Sequence, residues 1–403
     1  MNPKVSIIIP VYNGTNYMRD AIDSALQQTY DNCEVVVVND GSTDQGATDA
    51  VAKSYGNRIR YFAKENGGVA TAVNYGIQKM EGEYFAWLSH DDMFTPDKIE
   101  KQIKAIQKSG MQHAIVHSNF DFLYVEKNET VSVDFLQQYT KEQMEDSCFT
   151  PIFLAIHGST VLIHKSHFER VGLYDTTLRA TQDSEFLFRV MRGQKSIFIP
   201  ESLMISRIHA EQGQQTMACH VSEYNDMFIH FCSELTDEEK IHFCGSVWNF
   251  YYRLYLLLKH SRPANRILEY LREQLEIHKK PECSKDLGLK ELKMKWAGQG
   301  IKKLYIFGAG QMGKEMLQTL KSYGFSVDGW VDNAKEKQGA IIEGLPCISP
   351  TQIQSQEQCL FLVAMMDAKA VIQQLQNMKI SHIMTIGDCN RLLFRVIPSY
   401  IVL

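Results

Sequence analysis

Residues 5–11 (VSIIIPV) and 34–39 (EVVVVN) are short β-branched runs that end in polar turns, Tyr12-Asn13-Gly14 and Asp40-Gly41. Runs that are apolar at nearly every position, rather than at every second one, mark strands buried on both faces. Helical spacing over Tyr17–Gln28 separates them, and a polar helix is expected over Thr48–Tyr55. A third strand follows at Ile59–Phe62, a helix at Val69–Met80 and a fourth strand at Tyr84–Leu88, leading into Asp91-Asp92. Pro96 opens another helix to Ser109, at a position where its missing N–H costs nothing. Repeated βα units predict an α/β fold whose mostly parallel sheet carries helices on both faces. Functional groups of such sheets collect at the carboxyl ends of the strands, where Tyr12, Asn13, Asp40, Asp91 and Asp92 fall.

At 403 residues, more than one compact unit is expected. A formal net charge of −5 gives no reason to propose nucleic acid as a partner. The nine cysteines include no C-x-x-C pair and mostly sit in apolar runs, which suits reduced thiols of a cytosolic protein. The apolar start of the chain is too short for a signal sequence, and no stretch reaches the ~20 apolar residues of a membrane span.

Beyond about Cys219 the period becomes helical, with helices expected over Met227–Leu235, Ile241–His260 and Ala264–His278. The segment GSVWNFYYRLYLLLKHSR is apolar nearly all round, with Arg253 as its interior charge. It has three readings: a core helix, a face for a second subunit in a homodimer, or a peripheral contact with a membrane. Lys285, Lys290, Lys293, Lys295, Lys302 and Lys303, which follow it, would suit an anionic bilayer in the last case. A new βαβ pattern opens at Lys302. Its strand KKLYIFG runs into Gly308-Ala309-Gly310-Gln311-Met312-Gly313, and Asp332 ends the next strand. This is the setting of a dinucleotide fingerprint, with backbone approaching phosphate at a helix N-terminus. Further strands are expected around Leu360–Ala364 and His382–Ile386. The divisions expected are therefore 1–218, 219–300 and 301–403.

Residues 4–215, about half the chain, resemble the family 2 glycosyltransferases of the GT-A fold, which transfer sugars with inversion. VSIIIPVYNG matches that family's first strand and nucleotide-binding turn, which implies that Pro10, Tyr12 and Asn13 contact the donor. VVVVNDGSTD matches the second strand, whose acid (here Asp40) contacts the base. ENGGVATAVNYGI resembles the third signature, with Asn66, Gly67 and Asn74 in register. FAWLSHDDMFTPDKIEKQI matches the metal segment, and GLYDTTLRATQDSEFLFRV the acceptor-side signature, which implies Asp183 as catalytic base. SRIHAEQGQ resembles the closing segment, which implies His209 near the metal or diphosphate.

The resemblance implies a nucleotide diphospho-sugar donor (UDP-sugar by default), a glycan or lipid-linked acceptor, and a divalent cation. The family's metal motif reads Asp-x-Asp-Asp, but here Ser89 replaces the first acid. Asp91 and Asp92 remain for Mg²⁺ or Mn²⁺, with Asp91 also on the donor side, and His90 as an added nitrogen ligand would favour Mn²⁺. Glu185 is the rival to Asp183 as base; His157, His164 and His167 read as structural or surface residues.

IFGAGQMG, GWVDN and IEGLPCISP are similar to the small Rossmann-like domain of bacterial sugar acetyltransferases of the left-handed β-helix kind. This implies a C-terminal ligand loop of Gly308, Gly310, Gly313 and Asp332. The expected whole is a GT-A nucleotide-diphospho-sugar transferase domain, a helical middle segment and a small Rossmann-like domain. It would build bacterial surface polysaccharide in the cytoplasm, at the inner face of the membrane. The rival readings are a bifunctional protein with NAD-dependent sugar chemistry and a catalytically silent sugar-nucleotide scaffold.

Overall fold

The computed structural model describes residues 2–111, 113–210, 219–259, 265–278, 296, 298, 300–322, 324–353, 358–365 and 368–385. It divides into two compact units, the first comprising Met1–Leu136, Thr140–Leu235 and Arg262–Ile267, the second Gln137–Tyr139, Thr236–Ser261 and Leu268–Leu403.

The first unit holds one mixed sheet of β1 (Val5–Val11), β2 (Cys33–Asn39), β3 (Arg60–Ala63), β4 (Tyr84–Trp87), β5 (Met93–Phe94), β6 (Ile115–Tyr124), β7 (Glu129–Val133), β8 (Leu162–His164) and β9 (Ser196–Ile208). Its order is β3-β2-β1-β4-β8-β6-β9-β5, with β7 folded back on β6. The strands expected from the β-branched runs are mutually parallel. Every residue of β1 is buried, as its composition requires. The helix Val69–Lys79 lies directly on this strand, because a Cβ at Gly76 would come within 2.4 Å of Ile8 Cγ2.

The expectation of a mostly parallel sheet fails beyond Trp87. There β8 pairs antiparallel with β4, β6 with β8, and β5 with β9, while β6 and β9 are parallel. Antiparallel pairings and irregular connections build this half, so no βα repeat announces it.

Ile241–His260, read as one helix, is two: Asp237–Cys244 and Val247–Leu258. Gly245 ends the first in the left-handed region (φ 76°), and the Ser246 hydroxyl caps the second by accepting the Asn249 N–H at 3.0 Å. No residue of Val247–Leu258 is exposed, and the buried Arg253 guanidinium lies over the Tyr139 ring at 5.2 Å. Lys285, Lys290, Lys293 and Lys295 lie outside the described residues. Among the described residues no helix is long and apolar enough to cross a membrane.

The second unit contains a sheet of β10 (Lys303–Phe307), β11 (Gly329–Val331), β12 (Ile341–Ile342), β13 (Leu345–Ile348), β14 (Cys359–Val363) and β15 (Ile383–Thr385), in the order β12-β13-β11-β10-β14-β15. All pairs are parallel except the β12–β13 hairpin. Trp330, Ile306 and Leu317 belong to one core cluster, Phe307, Val331 and Leu375 to another.

Gly313 lies in the first turn of the helix Gln311–Ser322, and a Cβ there would lie 2.0 Å from the Gly308 carbonyl oxygen and 2.8 Å from Trp330 Cζ3. Gly313→Ala is expected to destabilise the second unit by about 1–3 kcal/mol through overpacking. Gly310→Ala, with open space around its site, should change stability by less than about 0.5 kcal/mol. Urea titrations followed by tryptophan fluorescence would separate the two.

Candidate active site

The turns after β1 and β2 are stitched together. Asn13 sits at φ 51°, a left-handed conformation that asparagine tolerates better than most residues. Its N–H donates to Ser42 Oγ (2.9 Å), and its Oδ1 accepts the Thr43 N–H (2.8 Å). Tyr12, 44% exposed, stands at the rim with its hydroxyl 3.3 Å from Thr43 Oγ1. Its exposed ring is suited to stack on a base. Pro10 pairs with Val38 of β2 but lies beyond the last residue of β1 that pairs with β4, Ile8.

Asp40 is buried at the end of β2. Its carboxylate accepts the Lys64 ammonium (2.6 Å) and the Gly67 and Gly68 N–H groups (3.1 and 2.7 Å). Asn66 donates to the Asp40 carbonyl at 2.8 Å. Lys64, which no spacing rule singles out, is therefore the partner of a residue expected to face the base. The Asn74 side chain both donates to the Tyr174 carbonyl (2.8 Å) and accepts the Tyr174 N–H (3.0 Å), clamping that segment across the sheet.

At the end of β4 the acidic pair splits. Asp92 is buried and accepts the Arg207 N–H at 3.0 Å; burial, then the neighbouring Asp91 charge, hold its carboxyl well above the usual range. Asp91 Oδ2 instead lies 3.1 Å from His209 Nε2, and the Arg207 guanidinium fixes the Asp91 carbonyl at 3.0 Å. Two ligands bound at right angles about a cation, at roughly 2.1 Å each, stand about 3.0 Å apart. Asp91 and His209 thus fit one edge of a coordination shell. Among the described residues no group of three or more His, Cys, Asp or Glu could hold a metal, so a cation here would need donor oxygens and water. The His90 ring packs over Gly14, where a Cβ would meet its Cδ2 at 2.7 Å, and burial lowers its pKa.

Asp183 begins the helix Gln182–Met191, and its Oδ1 accepts the Ser184 N–H at 2.8 Å. Burial raises its carboxyl above the ordinary range. Gly158 lies against it, a Cβ there reaching Asp183 Oδ2 and Trp87 Cε3 at 3.6 Å each. Trp87 Nε1 is buried without a hydrogen-bond partner among the described residues. Glu185, the rival base, is paired with Arg189, which also donates to the Val171 and Leu173 carbonyls.

His157, read as structural, borders this site. Its Nδ1 accepts the Ser159 N–H at 3.2 Å, and burial brings its pKa down to about 4, with the Asp91 charge acting in the opposite sense. One peptide unit therefore separates a ring that feels Asp91 from a glycine that touches Asp183. No sequence signal marks His157, because the loop that carries it has no periodicity. His164 and His167 lie elsewhere, bonded to Ser166 and to the His113 carbonyl.

In the second unit, the Asp332 carboxylate accepts the Ala309 N–H (2.8 Å), the Ala334 N–H (2.9 Å) and the Lys337 ammonium (3.0 Å). Gly308 takes φ 104°, and a Cβ on it would come within 2.8 Å of the Ala364 carbonyl oxygen.

The glycosyl transferase family 2 profile matches residues 6–172. An uncharacterized glycosyltransferase of Rickettsia prowazekii (strain Madrid E) is 44% identical over 258 residues, covering 64% of this chain and 80% of that protein. The chain belongs to glycosyl transferase family 2. An uncharacterized glycosyltransferase of Rickettsia bellii (strain RML369-C) is also 44% identical, over 255 residues; the match spans 62% of this chain but 36% of that relative. A structure of S. aureus TarS 1-349 in complex with UDP-GlcNAc matches with a TM-score of 0.46 at 15% identity, covering 68% of this chain and 88% of that one. Residues 300–385 match the C2185-like, N-terminal family, and that match does not show the expected resemblance to sugar acetyltransferases. Family membership and the sheet order together give the first unit its GT-A fold.

Removing the Lys64 ammonium leaves the buried Asp40 carboxylate with the Gly67 and Gly68 amides and the Thr71 hydroxyl as its partners. Lys64→Met is expected to cost this family 2 domain about 1.5–3 kcal/mol, read from the shift of its urea midpoint. Lys64→Arg should recover part of that loss.

Proposed function

We propose that the family 2 domain transfers a sugar, with inversion, from a nucleotide diphospho-sugar to a hydroxyl of a glycan or lipid-linked acceptor. UDP-sugar is the default donor, and bacterial surface polysaccharide the product. The observation that carries this reading is the arrangement at Asp183. Its carboxyl is held only by its own helix start among the bonds described, while its rival Glu185 is engaged by Arg189.

Tyr12, Asn13 and the Asp40 turn would form the nucleotide side. In this reading Asp40, Asn66 and Asn74 shape the pocket by fixing backbone, and Tyr12 offers the contact surface. Asp91 and His209 would hold Mn²⁺ or Mg²⁺, which when bound supplies positive charge against the departing diphosphate. Asp183 takes the proton of the acceptor hydroxyl as that oxygen attacks the anomeric carbon. The raised pKa makes it a stronger base than an exposed aspartate. One displacement inverts the configuration.

The experiment is nucleotide release from UDP-, GDP- and dTDP-sugars, with Mn²⁺, Mg²⁺ or EDTA. Release from one donor, lost with EDTA and in Asp91→Ala, is expected. Absence of both release and donor binding by calorimetry would overturn the reading in favour of a silent scaffold.

With an acceptor in hand, Asp183→Asn should lower turnover roughly 10²–10⁴-fold with donor binding nearly intact. The active form of Asp183 is the carboxylate, so the rate should fall as pH drops through its raised pKa. The acid limb should therefore lie above the ordinary aspartate range, near ~3.9, and a limb at that value would count against the assignment.

A further inference from the structure

The helix that carries Asp183 has no side-chain cap of its own: Thr181 occupies the cap position without bonding to the first turn. The acceptor comes instead from a helix further along the chain, His220–Glu234. There the Glu223 carboxylate accepts three successive backbone N–H groups: Arg179 (3.0 and 3.1 Å), Ala180 (2.8 Å) and Thr181 (3.2 Å). A carboxylate placed at exposed amides just ahead of a helix is held by charge-assisted bonds and by the helix dipole. These amides lie immediately before Gln182-Asp183, so their position sets the path of the chain into the base.

One of these three residues, Arg179, also reaches the turn that holds Asp40. Arg179 Nη1 donates to the Gly67 carbonyl at 2.6 Å, and it lies where a Cβ on Gly68 would be, 2.2 Å away. Gly68, at φ 90°, is thus a glycine for two reasons, its conformation and the room it leaves for Arg179. The Gly67 and Gly68 N–H groups are those that close on Asp40. A continuous polar path therefore runs from Glu223 through Arg179 to the Asp40 turn, with the base helix branching from its middle.

We propose that Glu223 and Arg179 are positioning residues that couple the nucleotide-binding turn to the catalytic base, so that one strap sets both donor affinity and the placement of Asp183. Neither residue needs to touch the reacting atoms. The proposal rests on the glycosyl-transfer reading above, and it assigns a kinetic role to a helix outside the span matched by the family profile. Loss of Glu223 frees Arg179–Thr181 and so should disturb both ends. Loss of the Arg179 side chain alone should disturb chiefly the nucleotide end.

The test is steady-state nucleotide release by the full chain from whichever UDP-, GDP- or dTDP-sugar the wild type consumes. The variants are Glu223→Ala, Glu223→Gln, Arg179→Ala and the double change Glu223→Ala/Arg179→Ala. Arg179→Ala is expected to raise the donor KM about 5-fold with kcat within 2-fold of wild type. Glu223→Ala should raise KM similarly and lower kcat about 10-fold, since small misplacement of a catalytic group is costly. Glu223→Gln, which keeps one acceptor oxygen, should recover part of both. In the double variant KM should match that of Glu223→Ala alone, because the strap is already cut.

Melting temperatures of all variants identify any that do not fold; if Glu223→Ala is among them, Glu223→Gln and Arg179→Ala carry the test. Wild-type kinetics in folded variants, or KM effects that simply multiply in the double change, would overturn the coupling. A wild type that releases no nucleotide from any donor and binds none would instead overturn the glycosyl-transfer reading beneath it.

Discussion

Asp40 is the constraint from which the arrangement of the turns beside β1 and β2 follows. A buried carboxyl group is costly unless its polar atoms are paired, and here the partners are specific. Lys64 supplies the opposite charge, and two consecutive glycine amides supply directed hydrogen bonds. Because both amides must point at one carboxylate, the Asn66–Gly68 turn has little freedom. Only with that turn fixed is the Gly67 carbonyl in place to receive Arg179. The course of this turn is thus defined by the need to pair one buried acid.

The two halves of the sheet divide the labour. The parallel half presents β1, β2 and β4 side by side, so Tyr12, Asp40 and Asp91 arrive together at their carboxyl ends. The later half supplies what faces them. Strand β9, long enough to cross the sheet, ends near His209 and brings Arg207, whose backbone N–H is taken by Asp92 and whose side chain holds the Asp91 carbonyl. The turn before β8 sets Gly158 beside Asp183. An acid pair adjacent in sequence is thereby split, one carboxylate anchored inward and the other beside an imidazole.

What could be read from sequence follows this division. β1, β2 and β4 are legible because burial on both faces demands unbroken apolar runs, and the structure starts and ends them within a residue or two of expectation. β6 (IVHSNFDFLY) and β9 (SIFIPESLMISRI) mix polar residues and a proline into their length, and β8 has only three residues, so neither period nor run betrays them. Gly245 was similarly hidden: one glycine inside an apolar helical pattern is tolerated about as often as it breaks it. Residue types at the site were readable, but pairings were not. Lys64, Arg179 and Glu223 carry ordinary surface residue names, and only the fold shows that they converge on backbone flanking Asp40 and Asp183.

The two units answer the same problem in the same way. In each, an aspartate at the end of the second strand of a βαβ pattern accepts two backbone N–H groups and one lysine ammonium. In the first unit these are Lys64, Gly67 and Gly68 around Asp40; in the second, Lys337, Ala309 and Ala334 around Asp332. A fingerprint reading gives such an acid to a ligand's ribose or base, because motif spacing cannot distinguish a carboxylate that waits for a ligand from one already satisfied. For Asp332 to bind a dinucleotide ribose through its carboxylate, it would have to share oxygens already engaged by the Ala309 N–H of the Gly308–Gly310 turn, the Ala334 N–H and the Lys337 ammonium. Both aspartates thus hold the backbone beside which the exposed groups of these turns, such as the Tyr12 ring in the first unit, are set.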